Sequence, residues 1–312
     1  MSEVRGRTAF ITGGASGIGL GMAKVFLEAG MNVAIADLRQ DHRETARAEL
    51  RDADLLDRTC FIDLDVTDRE AFVRAADEAE AAFGRIHVLC NNAGIGILKP
   101  IGAADYADWD WAIDVNLNGV FNGVRTILPR IRAHGEGGHI VNTASMAGIL
   151  QYSQAGLYVT TKFAVVGFSE ALRAELAPDG IGVTAFCPGG VRSNIREYES
   201  TRPERYAART DRSEDGPPPR LEVAPEDRER LSRLTASPEE AGRLVLNGIR
   251  ENALYVFTAP EFRPGVEERF EAIRRALGRD DEREKDALEL IPGLIGSPIY
   301  REASRQQERE KS

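Results

Sequence analysis

The feature that most constrains this chain is a strand signal that runs directly into a glycine-rich turn and then into a helix signal. Residues 7–12 read as a buried strand. Gly13-Gly14-Ala15-Ser16-Gly17-Ile18-Gly19 follows at once, and a helical pattern then continues to Gly30 in the position of a C-terminal cap. A glycine-rich turn alone is compatible with an ordinary loop. Between a strand and a helix it has a narrower meaning, because glycines let backbone N–H groups approach a phosphate at a helix N-terminus. The segment therefore predicts a dinucleotide phosphate site built from Gly13, Ser16, Gly17, Ile18 and Gly19.

The alternation repeats down the chain. Strand signals fall at residues 32–36, 59–65, 86–90, 139–144, 181–187 and 253–257, with helix signals between them. Thr67 and Glu70 have the spacing of a capping box for a helix that Gly84 closes, and Ser237 with Glu240 opens another that runs to Asn252. Helices over 106–116 and 117–133 are predicted after the fourth strand. Asn116 sits where helix propensity would not choose it, so a local kink and a water-binding role are both open. This order specifies an α/β fold of the Rossmann type, doubly wound, with a mainly parallel seven-stranded sheet and helices on both faces. Ligands of such a sheet bind outside the strand C-termini, where the strand order reverses.

The residues with chemistry to offer gather at those strand ends. Asp37 closes the second strand about 20 residues past the glycine turn, where a carboxylate accepts hydrogen bonds from an adenosine ribose and repels a 2′-phosphate. Arg39 is the kind of group that accommodates such a phosphate. Asp37 comes first and the glycine turn holds no basic residue, so NAD is favoured over NADP. Asp65 and Val66 are placed either to contact adenine or to start the next helix. Asn91-Asn92-Ala93-Gly94 leave the fourth strand as small and amide residues, which suits close passage of a cofactor or simple turn chemistry. Ser145 ends the fifth strand, and Pro188-Gly189-Gly190 breaks the sixth.

Tyr158-Val159-Thr160-Thr161-Lys162 opens a helix signal reaching about Leu176. Residues four apart share a helix face, so the phenol and the ammonium can meet one pocket. A cation beside a phenol favours phenolate and moves its pKa from about 10 toward the range of a general acid/base. Of 40 basic residues only five are lysine, yet one of them stands at 162.

Composition narrows the function classes. With 312 residues and 42% hydrophobic content the chain can build a sizeable core. A net charge of −10 argues against a nucleic-acid partner. No apolar run approaches the ~20 residues of a membrane span, and the N-terminal residues lack the apolar stretch of a signal peptide, so the expected location is the cytoplasm, with no membrane partner. Cys60, Cys90 and Cys187 lie in separate apolar strands and read as buried free thiols. His42, His87, His134 and His139 fall in unrelated segments, so no metal is expected.

Together these residues resemble the short-chain dehydrogenase/reductase family, in its single-domain branch, across about residues 5–260. The resemblance is carried by Thr12-Gly13, Gly17-Ile18-Gly19, Asn91-Asn92-Ala93-Gly94, Asn116, Ser145, Tyr158 with Lys162, and Pro188-Gly189. It implies a nicotinamide cofactor and a Ser-Tyr-Lys-Asn catalytic set at Ser145, Tyr158, Lys162 and Asn116. It also implies cofactor contacts from Asn92, Ala93, Gly94, Tyr158, Lys162, Pro188, Gly189 and Val191. Ser193 stands where the family usually has a threonine near the nicotinamide carboxamide. Within the family, Asn142–Ser145, Arg202–Tyr206 and Glu251–Tyr255 are similar to the Cα-dehydrogenases that oxidise the benzylic alcohol of lignin-derived β-aryl ethers. The likeness further implies a homodimer or homotetramer.

The resulting expectation is an NAD-dependent oxidoreductase moving a hydride between a secondary, benzylic or aryl alcohol and its ketone. Its pocket should be closed by residues 95–98, 146–152 and 190–191 and by a lid at 193–236, all mostly apolar or aromatic. A reductase or dehydrogenase of steroid-, terpenoid- or polyketide-like substrates is the second expectation. A cofactor-sensing protein without turnover is the reading from another class. Residues 1–278 are expected as one catalytic domain, with 279–312 as a charged tail carrying one apolar patch at 288–299.

Overall fold

The computed structural model describes Met1, residues 3–207, Ala224 and residues 227–309. Strand β1 (Thr8–Thr12) is buried throughout because its two faces meet different helices: Ala9 and Ile11 pack into one layer and Phe10 into the other. The same double burial makes the central strands read as continuous apolar runs. After β1 come α1 (Gly17–Glu28), β2 (Asn32–Asp37), α2 (Gln40–Asp52), β3 (Thr59–Asp63), α3 (Arg69–Phe83) and β4 (Val88–Asn91). Then follow α4 (Tyr106–Ile113), α5 (Gly119–His134), β5 (Gly138–Thr143), α6 (Gly156–Leu176) and β6 (Ile181–Cys187). The chain ends with α7 (Arg228–Ser232), α8 (Pro238–Glu251), β7 (Tyr255–Phe257), α9 (Arg263–Ala276), α10 (Asp281–Leu290), α11 (Pro292–Ile295) and α12 (Pro298–Arg309).

The seven strands form one parallel sheet in the order β3-β2-β1-β4-β5-β6-β7. Its order reverses between β1 and β4, so the ends of those strands open the crevice. Helices α1, α2 and α8 cover one face, and α3, α5 and α6 the other. Helix α1 is pressed against α8 through glycines: a Cβ at Gly21 would lie 2.1 Å from the Pro238 carbonyl, and one at Gly242 2.6 Å from that of Gly21.

One local expectation changes, and two segments gain detail. The cap of α3 is Asp68, whose carboxylate accepts the N–H groups of Glu70 and Ala71, while Thr67 donates its hydroxyl to Asp65 at 2.7 Å. An anionic oxygen accepting two N–H groups is a stronger cap than a hydroxyl. The helices on either side of Asn116 are joined by a π-helical turn, Asp114–Asn118. In the tail, Ile299 of the expected apolar patch is buried, and the phenols of Tyr300 and Tyr255 donate to the two oxygens of Glu170 on α6 at 2.7 and 2.5 Å. Leu288 and Leu290 of the same patch are exposed.

The Ser237–Glu240 capping box forms in both directions. The insertion expected at 193–236 leaves and returns at the end of β6, where Arg192 N–H donates to Ala236 O and Ala236 N–H to Gly190 O, at 3.2 and 2.9 Å. Pro217-Pro218-Pro219 lie outside the described residues. Among the described residues no helix is long and apolar enough to cross a membrane.

Candidate active site

The glycine turn shapes one end of a cleft of about 390 Å³. Gly13 and Gly17 hold positive φ, +60° and +48°, in tight surroundings. A Cβ at Gly13 would stand 2.9 Å from Ala93 Cα, and one at Gly17 2.9 Å from Ser193 Cβ. Gly19 does not line the cleft; its hydrogen faces the turn, where a Cβ would meet Gly13 O at 2.1 Å. Ser16 caps α1 without a side-chain hydrogen bond, so the first-turn N–H groups have no acceptor from that residue. Ser16, Gly17 and Ile18 all line the cleft.

Asp37 is tied to this turn. Its Oδ2 accepts the Ala15 N–H at 3.1 Å and its Oδ1 that of Arg39 at 3.0 Å. The Arg39 guanidinium is occupied by Asp41, with Nε 3.0 Å from Asp41 Oδ1, and holds that carboxyl down to about 2. Asp65 accepts both the N–H and the hydroxyl of Thr67 and is paired with Arg205 at 2.8 Å; Val66 beside it lines the cleft.

Across the reversal point, Thr12 Oγ1 accepts the N–H groups of Asn92 and Ala93 at 2.9 and 3.0 Å, and Asn92 Nδ2 donates to the carbonyls of Thr12 and Gly13. These bonds hold the loop leaving β4 against the end of β1, with Ala93 and Gly94 in the cleft. Asn116 is fully buried behind Gly94 rather than in the lining. Its Oδ1 accepts the Ile95 N–H at 2.9 Å, and its Nδ2 donates to Ile95 O at 2.9 Å and Thr161 Oγ1 at 3.2 Å. Both amide hydrogens are used, so the side chain braces the β4 loop against α6 and has none left to give a water.

Ser145, Tyr158 and Lys162 meet in the cleft. Ser145 Oγ accepts the Ala147 N–H at 3.0 Å and is hydrogen-bonded to the Tyr158 phenol. Lys162 is 3% exposed, donates to Thr143 O at 2.8 Å and lies 5.5 Å from the centre of the Tyr158 ring. Burial pulls its ammonium down to about 8. Burial pushes the Tyr158 phenol above its ordinary range, with the Ser145 hydrogen bond acting in the opposite sense. The Lys162 ammonium is turned to the Thr143 carbonyl here, and burial is the largest influence on the phenol.

Pro188, Gly189, Val191 and Ser193 line the cleft beyond β6. From there residues 193–206 run along it. Ile195 packs on Gly96, Arg202 reaches Asp108 on α4, and Arg205 reaches Asp65. The far wall differs from expectation. Met146 and Ile149 are buried against Val165 and Val166 of α6, and residues 146–152 do not line the cleft. Trp111 and Val115 do, with Ile95, Ile195 and Tyr198. The signal for Trp111 was present: Asp105 and Asp108 make a capping box that fixes where α4 begins and so which residues share its inner face.

Folding also brings His87 to His134 and Glu136, with ligand atoms within 4.8 Å of one another. Each imidazole is already committed. His87 Nδ1 accepts the Thr8 N–H and its Nε2 faces Glu136 at 3.2 Å; His134 Nδ1 accepts the Glu136 N–H and its Nε2 faces Ile86 O at 3.0 Å. Burial takes His87 down to about 4, so it stays neutral near pH 7. The cluster is a packed hydrogen-bond network at the opposite end of the sheet.

Residues 7–204 match the model of the short chain dehydrogenase family. The chain belongs to that family. It is 39% identical over 302 residues, 95% of this chain and 94% of the relative, to a C alpha-dehydrogenase of Sphingobium sp. strain SYK-6. Among solved structures, the apo form of LigO from the same strain superposes with a TM-score of 0.75 at 35% identity, covering 95% of this chain and all of the other. A short chain dehydrogenase/reductase from Burkholderia phymatum in complex with NAD gives 0.77 at 32% identity, covering 90% and 98%. This family member is an oxidoreductase acting on alcohols.

Proposed function

We propose that this short-chain dehydrogenase uses NAD in preference to NADP to interconvert secondary alcohols bearing an aryl group at the carbinol carbon with their ketones. The observation that carries the reading is the meeting of Ser145, Tyr158 and Lys162 in a cleft that begins at the glycine turn and ends among Ile95, Trp111, Val115 and Tyr198. Gly13 and Gly17, whose Cβ atoms would collide, and the N-terminus of α1 fit a pyrophosphate. Asp37, fixed beside them, fits a ribose diol and disfavours a 2′-phosphate, while Arg39, which also lines the cleft, has its guanidinium paired with Asp41. A bound nicotinamide supplies the hydride acceptor or donor.

The chain's own residues do the rest. Ser145 holds the substrate oxygen, and Tyr158 removes its proton in oxidation or returns it in reduction. Lys162 favours the phenolate electrostatically and binds the nicotinamide ribose. Asn116 acts by holding the β4 loop and α6 in register. In this reading residues 1–278 are the catalytic domain, 193–236 its substrate insertion and 279–312 a tail; the protein works in the cytoplasm as a homodimer or homotetramer. Similarity to a C alpha-dehydrogenase over 95% of the chain supports the aryl preference over the steroid-like alternative. The test is a panel of aryl, aliphatic and steroid alcohols with NAD and NADP, and of their ketones with the reduced cofactors. Preferred turnover of steroids or of NADP would reject the corresponding half of the proposal.

A further inference from the structure

A buried carboxylate holds part of the insertion in place. Asp108, whose side chain is 0% exposed, takes Arg202 Nη2 on Oδ1 at 2.6 Å and Lys99 Nζ on Oδ2 at 3.0 Å. It thereby ties together three segments: the loop after β4, the first turn of α4 and the insertion. Arg202 uses the rest of its fork within the insertion, on the Glu199 carboxylate at 2.9 and 3.1 Å and the Tyr206 carbonyl at 3.0 Å. Its guanidinium lies 4.4 Å from the Trp111 ring centre.

The aromatic groups around this cluster are held one by another. Trp111 is 2% exposed, stacks on Tyr206 with centroids 6.3 Å apart and meets Tyr198 at 6.0 Å. The Tyr206 hydroxyl donates to Asp114 at 2.7 Å, and the Tyr198 phenol is close to the Leu98 backbone. Trp111 and Tyr198 line the same cleft as Tyr158; Arg202 and Asp108 do not. The charged cluster sits behind an aromatic wall and fixes it, since a planar five-donor fork can satisfy two carboxylates and a carbonyl while stacking on an indole.

We propose that Arg202 is a positioning residue and Tyr198 a specificity-determining one: through buried Asp108, Arg202 sets Tyr198 and Trp111 as a rigid wall that selects alcohols with a bulky apolar substituent. This rests on the alcohol dehydrogenase reading above. Because the wall contacts the substituent and not the reacting atoms, it acts on KM and leaves kcat nearly alone.

The test compares methyl phenyl carbinol with benzyl phenyl carbinol, using NAD and the intact protein. Wild type should favour the larger alcohol by about tenfold or more in kcat/KM, the scale of a filled apolar subsite. Tyr198→Ala, which leaves the ion cluster whole, should erase most of that ratio by raising KM for benzyl phenyl carbinol, with kcat and the smaller alcohol changed less than about twofold. Arg202→Met should do the same without changing the KM for NAD, and Arg202→Lys should restore only part of it. Should Arg202→Met fail to fold, Tyr198→Ala decides. A ratio unmoved by Tyr198→Ala, or a loss that falls on kcat for both alcohols, overturns the inference while the functional reading stands. Absence of turnover with every aryl alcohol overturns both.

Discussion

Around the glycine turn and the ends of β1 and β4, the cleft is held by backbone N–H groups, hydroxyls and amides; along residues 193–206 it is held by arginines. The first wall joins Thr12, Asn92, Asn116 and Asp37 through neutral or charge-assisted bonds to the backbone, all of them buried or part-buried. The second joins Arg202 to buried Asp108 and Arg205 to partly exposed Asp65. A backbone-anchored wall is rigid and depends little on salt. A wall of ion pairs is only as firm as each pair is buried: breaking a buried one costs about 3–5 kcal/mol, whereas an exposed one contributes about 0–1 kcal/mol. The cofactor side should therefore tolerate little change, and the substrate side should divide into a firm end at Arg202 and a loose end at Arg205.

The largest test of that contrast is at the chemistry on the rigid wall. Tyr158→Phe should lower kcat by about 10³-fold, within the range of a lost general acid/base, with NADH affinity unchanged by fluorescence titration. Residual activity within tenfold of wild type would take Tyr158 out of the central role. Lys162→Met comes next, with an expected loss of about 10²-fold near pH 7. Its sharper signature is the pH profile. Burial raises the phenol, so oxidation, which needs phenolate, should quicken as pH rises, and ketone reduction, which needs the phenol, should slow. Removing the ammonium should move the oxidative limb to still higher pH; an unmoved limb would leave Lys162 a ribose-binding role only.

Asp37→Ala probes the cofactor end. Losing a carboxylate that two backbone N–H groups hold in place should weaken NAD and raise the NADP-to-NAD ratio of kcat/KM by about tenfold. The mutant should show little change with salt, because these bonds are buried. A ratio that stays put would return Asp37 to the role of a strand-end acid organising its own turn.

The two walls also differ in how far they can be read from sequence. The rigid one is local in logic: a glycine turn between strand and helix, an acid at the next strand end and a Tyr-Lys pair four apart each depend on neighbours in the chain, and the parallel sheet brings their strand ends together. Gly13, Asp37, Ser145, Tyr158 and Lys162 accordingly lie in the cleft where they were expected. The bracing contacts of the Asn116 side chain are not legible in the sequence, because its partners, Ile95 and Thr161, are set by packing and not by spacing. The aromatic wall escaped for the same reason. Nothing in the separation of 94 residues between Asp108 and Arg202 marks them as a pair. The stretch at 146–152 follows a catalytic strand end and so reads as lining, but Met146 and Ile149 fill the space under α6 and Tyr152 is exposed.

The smallest expected effect lies at the loose end. Arg205 is half exposed; it donates to Asp65 and, at 2.6 Å, to the Thr67 hydroxyl, and its guanidinium stands 4.9 Å from the Tyr206 ring centre. Asp65 keeps both of its Thr67 contacts when Arg205 is removed, so the start of α3 should not be disturbed. What Arg205→Ala removes is a set of exposed contacts between the insertion and the adenine end of the cleft, of which the screened ion pair is worth at most about 1 kcal/mol, or less than about fivefold in the KM for NAD. Because the pair is exposed, wild type should converge on the variant at about 1 M salt, where the screening length is about 3 Å, whereas any selectivity set by Arg202 should persist. The two arginines stand three residues apart on one segment, so a common effect of unfolding the insertion would move both readouts together. A loss for Arg205→Ala well above tenfold that also resists salt would mean the two ends are equally firm, and the contrast between buried and exposed pins would no longer describe this wall.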